Sequence, residues 1–285
     1  MDTISVIIPT FNRAKLLARA VESVFAQESP CDEILVIDDG SQDDTKDVVQ
    51  HLQRKAPVPL FYSYQRNRGA AAARNLGIQQ AKGNLLAFLD SDDWWLAGKL
   101  GLQVAAMERH PDYLISHTQE LWHRKGLRVN QKKKHHPPHG NIFFPSLRMC
   151  VVGMSTVIIR RKFFAKYGNF DETLLCCEDY DLWLRAGRQE PFLLIPHPLT
   201  GKEGGRDDQL SRIHRQGMDI YRIRSLSALL ASETLSFPQK RAVIHELEYK
   251  CSIYAKGCIK HGRPHEGIEY FQLASRYLAS LQEYI

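Results

Sequence analysis

Leu85-Leu86-Ala87-Phe88-Leu89-Asp90-Ser91-Asp92-Asp93 is an apolar run that stops abruptly in an acidic loop. A short apolar run bounded by polar residues reads as a buried strand. The same construction occurs twice upstream. Ile4 to Pro9 is an apolar, β-branched run that gives way to Thr10-Phe11-Asn12-Arg13, and Glu33 to Ile37 is a strand ended by Asp38-Asp39-Gly40-Ser41. Helical segments lie between. Arg13 to Gln27 places Leu16, Leu17, Ala20, Val21, Val24 and Phe25 at helical spacing. Asp44 to Arg54 is a helix that Asp43 or Asp44 can cap, and Ala70 to Gln80 is an alanine-rich helix stopped by Gly83. Leu60 to Tyr64 adds a further strand. Strands separated by helices imply a parallel sheet with crossovers, and in such sheets ligands bind beyond the carboxyl ends of the strands. The polar residues at the three strand ends are therefore expected to gather on one rim.

Downstream the pattern loosens. Residues 97–145 hold a helix from Lys99 to Arg109, a strand around Tyr113 to His117, and a basic segment. Val157 to Arg160 reads as a strand, Phe163 to Tyr167 as a short helix, and Glu178 to Arg188 as a helix that begins with a carboxylate pair. After Gln209 the texture becomes helical. Ile213 to Ala231 reads as one amphipathic stretch; Pro238 to Cys258 and Pro264 to Leu281 read as a hairpin turning at His261-Gly262-Arg263-Pro264. Ala255, Cys258, Gly267, Phe271 and Ala274 have the small/large rhythm of one tetratricopeptide unit, which singly is usually a packing solution. The expected organisation is an α/β domain over residues 1–210, a Rossmann-like and mostly parallel sheet flanked by helices. An α-helical C-terminal region over residues 211–285 then caps it or mediates self-association.

At 285 residues the chain can bury one large core and carry an appendage. Its apolar runs are too short to span a bilayer, and Met1-Asp2 leads straight into a strand with no basic leader, so a cytoplasmic location is expected. The six cysteines form no CxxC pair and no zinc spacing, which reads as reduced thiols. Much of the net charge of +6 sits in Arg124, Lys125, Arg128, Lys132, Lys133 and Lys134, with His135, His136 and His139 close by. Such a segment attracts phosphates, on a lipid-linked acceptor or a membrane surface, or is simply a solvated loop. It lacks interleaved aromatics and any nucleic-acid-binding motif, so no nucleic acid partner is expected.

Carboxylates crowded at one strand end repel one another unless a cation binds between them. Hard ions such as Mg²⁺ or Mn²⁺ take oxygen ligands, use few protein carboxylates and leave room for substrate phosphates. Asp90-Ser91-Asp92-Asp93 fits that chemistry, although an Asp-rich loop by itself is more often a solvated turn or cap. Asp38-Asp39 can accept hydrogen bonds from a base or ribose, or is a plain Asp-Gly turn. Arg13, Arg68 and Arg74 are cations near the same rim, suited to phosphate oxygens, and the alanine-rich helix directs its positive N-terminus there. Glu178-Asp179 can supply a general base or cap its own helix.

Ser5-Val6-Ile7-Ile8-Pro9-Thr10-Phe11-Asn12-Arg13, Asp38-Asp39-Gly40-Ser41, Asn67-Arg68-Gly69 with Ala73-Arg74-Asn75-Leu76-Gly77, Phe88-Leu89-Asp90-Ser91-Asp92-Asp93 and Glu178-Asp179-Tyr180-Asp181-Leu182-Trp183-Leu184-Arg185 together resemble the family 2 glycosyltransferases. Five blocks in order over residues 4–190 make the resemblance specific. It implies a GT-A fold and an inverting transfer of sugar from a nucleotide diphosphate, with a UDP-sugar the expected donor, to a carbohydrate or lipid-linked glycan acceptor. By the same resemblance Asp39 contacts the base, and Pro9, Thr10, Arg13, Arg68 and Ser91 belong to the nucleotide pocket. Asp90 and Asp92 form the DxD pair that holds Mn²⁺ or Mg²⁺, with Asp92 the more direct ligand. Asp179 is the catalytic base and Glu178 shapes the acceptor side. The chain departs from the family in one place: Gly204-Gly205-Arg206-Asp207-Asp208-Gln209-Leu210-Ser211 lacks the histidine that often contacts phosphate or metal. Arg206 is one substitute, and His197 and His214 are others. Gly201 to Asp208 is expected to be a loop that closes over the donor. A nucleotidyltransferase is disfavoured because no glycine-rich loop follows the first strand. A non-catalytic protein that keeps the fold is the remaining alternative.

Overall fold

The computed structural model describes residues 2–214, 217–231 and 235–282. Its first half runs β1 (Ile4–Thr10), α1 (Ala14–Phe25), β2 (Glu33–Asp38), α2 (Thr45–Lys55), β3 (Leu60–Tyr64), α3 (Ala70–Gln80) and β4 (Leu85–Phe88). Every residue of β1, β2 and β4 is buried. Strands covered on both faces have no polar side to alternate with, which explains their largely apolar sequence. All pairings here are parallel: Thr10 lies beside Asp38, and Ile7 beside Phe88. The carboxyl ends of β2, β1 and β4 are thus neighbours, in that order.

The second half comprises β5 (Asp93–Trp95), α4 (Lys99–Arg109), β6 (Ile115–Arg124), β7 (Leu127–Val129), α5 (Phe143–Arg148), β8 (Ile158–Arg160), α6 (Lys162–Tyr167), α7 (Glu178–Gly187), β9 (Leu193–Gly204), α8 (Leu210–Ile213), α9 (Met218–Ala231), α10 (Phe237–Lys260) and α11 (Pro264–Gln282). The sheet order is β3-β2-β1-β4-β8-β6-β9-β5, with β7 paired to β6. β8 joins antiparallel to β4 and to β6, β9 lies parallel to β6, and β5 antiparallel to β9. The sheet is parallel in its first half and mixed in its second.

Helices cover both faces. Val6, Ile8 and Val36 pack against Leu17 and Val21 of α1, Val49 of α2 and Met107 of α4. Ile7 and Ile37 face Ala73 of α3, Phe163 of α6 and Trp183 of α7. A third core joins the C-terminal helices to this body: Ile223, Leu226, Val243, Leu247 and Ala274 pack with Phe143 and Leu147 of α5 and Tyr180 and Leu184 of α7. Among the described residues no helix is long and apolar enough to cross a membrane.

Several elements differ from the sequence expectation. α3 ends at Gln80 with Ala81 extended, so Gly83 is not its stop. A Cβ on Gly83 would lie 2.6 Å from the Ser5 amide nitrogen, so glycine lets this turn press against β1. Of the two aspartates expected to cap α2, Asp44 occupies the cap position without a side-chain bond. Asp43 instead accepts from the amides of Thr45 at 3.1 Å and Ala14 at 3.0 Å, joining the starts of α1 and α2. The strand expected near Tyr113 extends to Arg124 and turns through Lys125-Gly126, both at positive φ, so the basic segment begins as a hairpin. The expected loop from Gly201 to Asp208 is strand as far as Gly204. A Cβ on Gly201 would stand 2.1 Å from the Trp94 ring, so the glycine is there for packing. The helix expected from Ile213 to Ala231 is α8 followed by α9; its residues 215 and 216 lie outside the described residues. In the α10–α11 hairpin Gly267 closes on Ala255, whose carbonyl oxygen is 2.8 Å from where a Cβ would sit, whereas Phe271 stays exposed.

Candidate active site

The strand ends open into a cleft of about 790 Å³, lined by ten of the residues singled out from sequence: Pro9, Thr10, Arg13, Asp39, Arg68, Asp90, Ser91, Asp92, Glu178 and Asp179. At the β2 end the two aspartates divide their work. Asp38 points into the structure, accepting from the Tyr62 hydroxyl at 2.7 Å and the Ser41 amide at 2.8 Å. Asp39 holds the loop before α3, accepting from Gln65 Nε2 at 2.6 Å and from the amides of Arg68 at 2.9 Å and Gly69 at 2.8 Å. Gly40, at φ +94, lets that loop approach: a Cβ would lie 2.8 Å from the Asn67 amide nitrogen. The Arg68 guanidinium is turned to Glu172 at 2.6 Å and is well exposed. The N-terminus of α3 opens on the cleft through Gly69 and Ala70.

Charge density peaks at the β4 end. Oxygens of Asp90, Asp92 and Asp93 lie within 4.8 Å of one another. Arg74, almost wholly buried, bonds Asp90 Oδ1 at 2.7 Å through one nitrogen and Glu178 through the other. Burial would raise the Asp90 carboxyl, but Arg74 and Lys202 outweigh it and hold it low. Glu178 is raised: burial dominates, against the opposing pull of Arg74. Asp93 is committed elsewhere, accepting from Ser155 Oγ at 2.5 Å with Lys202 Nζ at 3.8 Å, and burial pushes it well above the carboxylate range.

Asp92 lies between two arginines. Its Oδ2 pairs with Arg206 and, at 3.4 Å, with Arg13. Both arginines also bond Asp208, each through Nε at 2.9 Å, so the loop after β9 is tied across the acidic loop. Arg19, stacked on Trp94, donates to the Asp92 carbonyl at 2.7 Å and fixes the loop backbone. Asp90 Oδ2 and Asp92 Oδ1 take no hydrogen bond among the described residues. Two open carboxylate oxygens on one rim, backed by a third acid, are the hard donor set that a divalent cation accepts, with its remaining positions left to substrate oxygens.

At the opposite wall Cys177 adopts a left-handed conformation, φ +66, immediately before α7. Non-glycine residues seldom hold that geometry, and such strain gathers at functional sites. It turns Glu178 inward to Arg74 and leaves Asp179 half-buried on the cleft. Asp179 Oδ2 accepts a weak bond from the Cys150 thiol at 3.2 Å. Burial, then Asp179, push that thiol well above its usual range. Of the candidates for the missing histidine, Arg206 meets Asp92, His214 lines the cleft, and His197 is exposed away from it. Sequence reasoning did not single out Arg19, Lys202, Ser155 or Cys150. Each acts across more than 25 residues of chain, and no local pattern marks it.

Known proteins resemble the chain in sequence and in fold. The profile described as Glycosyl transferase family 2 matches residues 5–168. An uncharacterized glycosyltransferase of Rickettsia felis is 33% identical over 220 residues, 75% of this chain, and the chain spans only 33% of that protein's length. WfaP of Escherichia coli, a UDP-Glc:alpha-D-GlcNAc-diphosphoundecaprenol beta-1,3-glucosyltransferase, is 32% identical over 226 residues, covering 79% of this chain and 83% of WfaP. Among solved structures, Staphylococcus aureus TarS 1–349 in complex with UDP-GlcNAc matches with a TM-score of 0.68 at 16% identity, over 98% of this chain and 92% of that one. The mannosyltransferase PcManGT from Pyrobaculum calidifontis, in complex with GDP-Man and Mn²⁺, matches with a TM-score of 0.61 at 17% identity, over 99% of this chain and 79% of that one. These two structures share the GT-A fold. With the family profile covering more than half of its length, the chain belongs to glycosyl transferase family 2.

Proposed function

We propose that the chain moves a sugar from a nucleotide diphosphate sugar to an acceptor hydroxyl with inversion at the anomeric carbon. The carrying observation is the single cleft that joins Asp39, the Asp90–Asp92 pair and Asp179. Asp39 receives the base, with Pro9 and Thr10 at its side. Asp90 and Asp92 hold a divalent cation, Mn²⁺ or Mg²⁺, which when bound offsets the charge gathering on the leaving diphosphate. Arg13 and Arg206, now shared between Asp92 and Asp208, turn to the phosphates. Asp179 takes the proton from the acceptor hydroxyl as that oxygen attacks the face opposite the diphosphate. Buried Arg74 fixes Asp90 and Glu178 in one place, which sets the spacing between the cation side and the base side. A UDP-sugar is the donor this reading favours, because WfaP, the similar glucosyltransferase, takes UDP-Glc. Residues 1–210 form the catalytic part and residues 211–285 complete its acceptor side, at the cytoplasmic face of a membrane where a lipid-linked glycan acceptor is presented.

Calorimetric titration of UDP, GDP and dTDP, with and without Mn²⁺, tests the reading on the wild type and Asp92→Ala. One nucleotide is expected to bind only when metal is present, and Asp92→Ala is expected to lose that binding. Absence of binding by all three under every metal condition refutes the donor site.

A further inference from the structure

Beyond Asp179 the cleft changes character. Its charged end lies on the strand rim. Its far lip is apolar, with Leu175 at 54% and Ile213 at 60% exposure and Met218 beside them. Large side chains left in water around the mouth of a functional cleft mark a contact still to be made. Among the described residues, a cation faces this end. Arg222 of α9 lines the cleft and lies over the Tyr180 ring, its guanidinium carbon 5.9 Å from the ring centre. Its Nη1 reaches Asp219 at 3.3 Å, but Asp219 is shared with Lys250 at 3.8 Å. Arg222 Nε is buried without a partner, and Nη2 has none among the described residues. Arg222, Cys177 and Asp179 line the same cleft.

We propose that Arg222 binds the phosphate of a lipid-linked acceptor whose hydrocarbon leaves the cleft over Leu175, Met218 and Ile213. The proposal rests on the donor reading above, which gives the strand rim to the nucleotide and Asp179 to the acceptor. A neutral soluble saccharide uses neither the cation nor the lip. An acidic sugar uses the cation but leaves the lip in water. A lipid phosphate uses both, through a charge-assisted fork at the head and buried apolar surface along the tail.

The test is calorimetric titration of the full chain, held in saturating UDP and Mn²⁺, with farnesyl diphosphate, inorganic diphosphate and methyl glucuronide. Farnesyl diphosphate is expected to bind alongside UDP, and to bind about tenfold more weakly to Arg222→Ala, with UDP affinity unchanged. Arg222→Lys is expected to fall between. Leu175→Ser and Ile213→Ser sit on the surface and leave the fold intact; they are expected to weaken farnesyl diphosphate but not inorganic diphosphate. Equal affinity for inorganic and farnesyl diphosphate points to free phosphate as the ligand and overturns the lipid assignment. Binding of the glucuronide alone assigns an acidic sugar and overturns it as well. Displacement of farnesyl diphosphate by UDP, or no binding at all, overturns the site. If UDP itself fails to bind, the donor reading is what fails, and the same titrations without nucleotide still report on Arg222.

Discussion

Arg74 shows how much can rest on one buried side chain. It is the common partner of Asp90 and Glu178, and its own proton is held tightly because those two carboxylates outweigh the cost of its burial. Arg74→Ala leaves two carboxylates facing each other across a void and is expected to cost about 3–5 kcal/mol in denaturant unfolding. Arg74→Lys keeps the charge but loses the fork, so the fold is expected to survive while turnover drops by about tenfold or more in a transfer assay. Cys150 acts on Asp179 with a weaker donor. Cys150→Ala removes the bond and is expected to lower kcat by a few-fold, on the order of one weak hydrogen bond, whereas Cys150→Ser restores it. Recovery in Cys150→Ser separates this from a packing defect, because serine restores a donor without restoring the bulk of the thiol. The thiol itself, held protonated by burial, is expected to resist alkylation at pH 8. Asp43 gives the acid dependence of stability. Burial raises it, but bonds from Thr45 and Ala14 prevail and its carboxyl is depressed. A depressed carboxylate stabilises the fold fully above its unfolded value, and that share is lost as pH falls through the lower, folded value. Asp43→Asn should therefore flatten the acid side of a melting-temperature profile below about pH 4 and change little of its slope near neutrality.

Elements differ in how far the sequence discloses them. β1, β2 and β4 were legible because burial on both faces leaves little polar interruption, and the rule about strand ends then located Asp39, Asp90 and Asp92 without further help. α7 was legible from its acidic start, though nothing local foretold that Cys177 would turn Glu178 inward and leave Asp179 on the cleft. β9 was hidden. It contains Pro196, Pro198, Gly201 and Gly204, residues that normally announce a loop, and its register slips where it passes Thr118 to Glu120 of β6. Its reasons for being a strand lie in β6 and β5, far away in sequence. Arg206 was named as one substitute for the missing histidine, but its pairing with Asp92 was not legible for the same reason, since it forms only once β9 and β5 are paired. The Trp94 ring on Gly201 supplies an element-scale test. Gly201→Ala drives a methyl group into that ring and is expected to cost about 1–3 kcal/mol. It should also loosen the Asp93–Lys202 register beside it, seen as faster amide exchange in β5 and β9 than elsewhere in the sheet.

At the scale of the molecule the three cores are not independent. The third is built jointly from the C-terminal helices and from α5 and α7, so removing residues 211–285 uncovers Phe143, Leu147, Tyr180 and Leu184. The truncated chain is expected to aggregate or to melt well below the full chain in calorimetry, rather than to persist as a working catalytic unit, because burial of each such side chain is worth about 1.5–3 kcal/mol. The shared core also constrains how such an enzyme diversifies. A lineage that needs a new acceptor cannot trade its C-terminal block for a relative's as a cassette, because the incoming helices would have to fit the packing beneath the helix that bears Asp179. Leu175 and Ile213 are exposed and lie outside that packing, so they can vary without disturbing it.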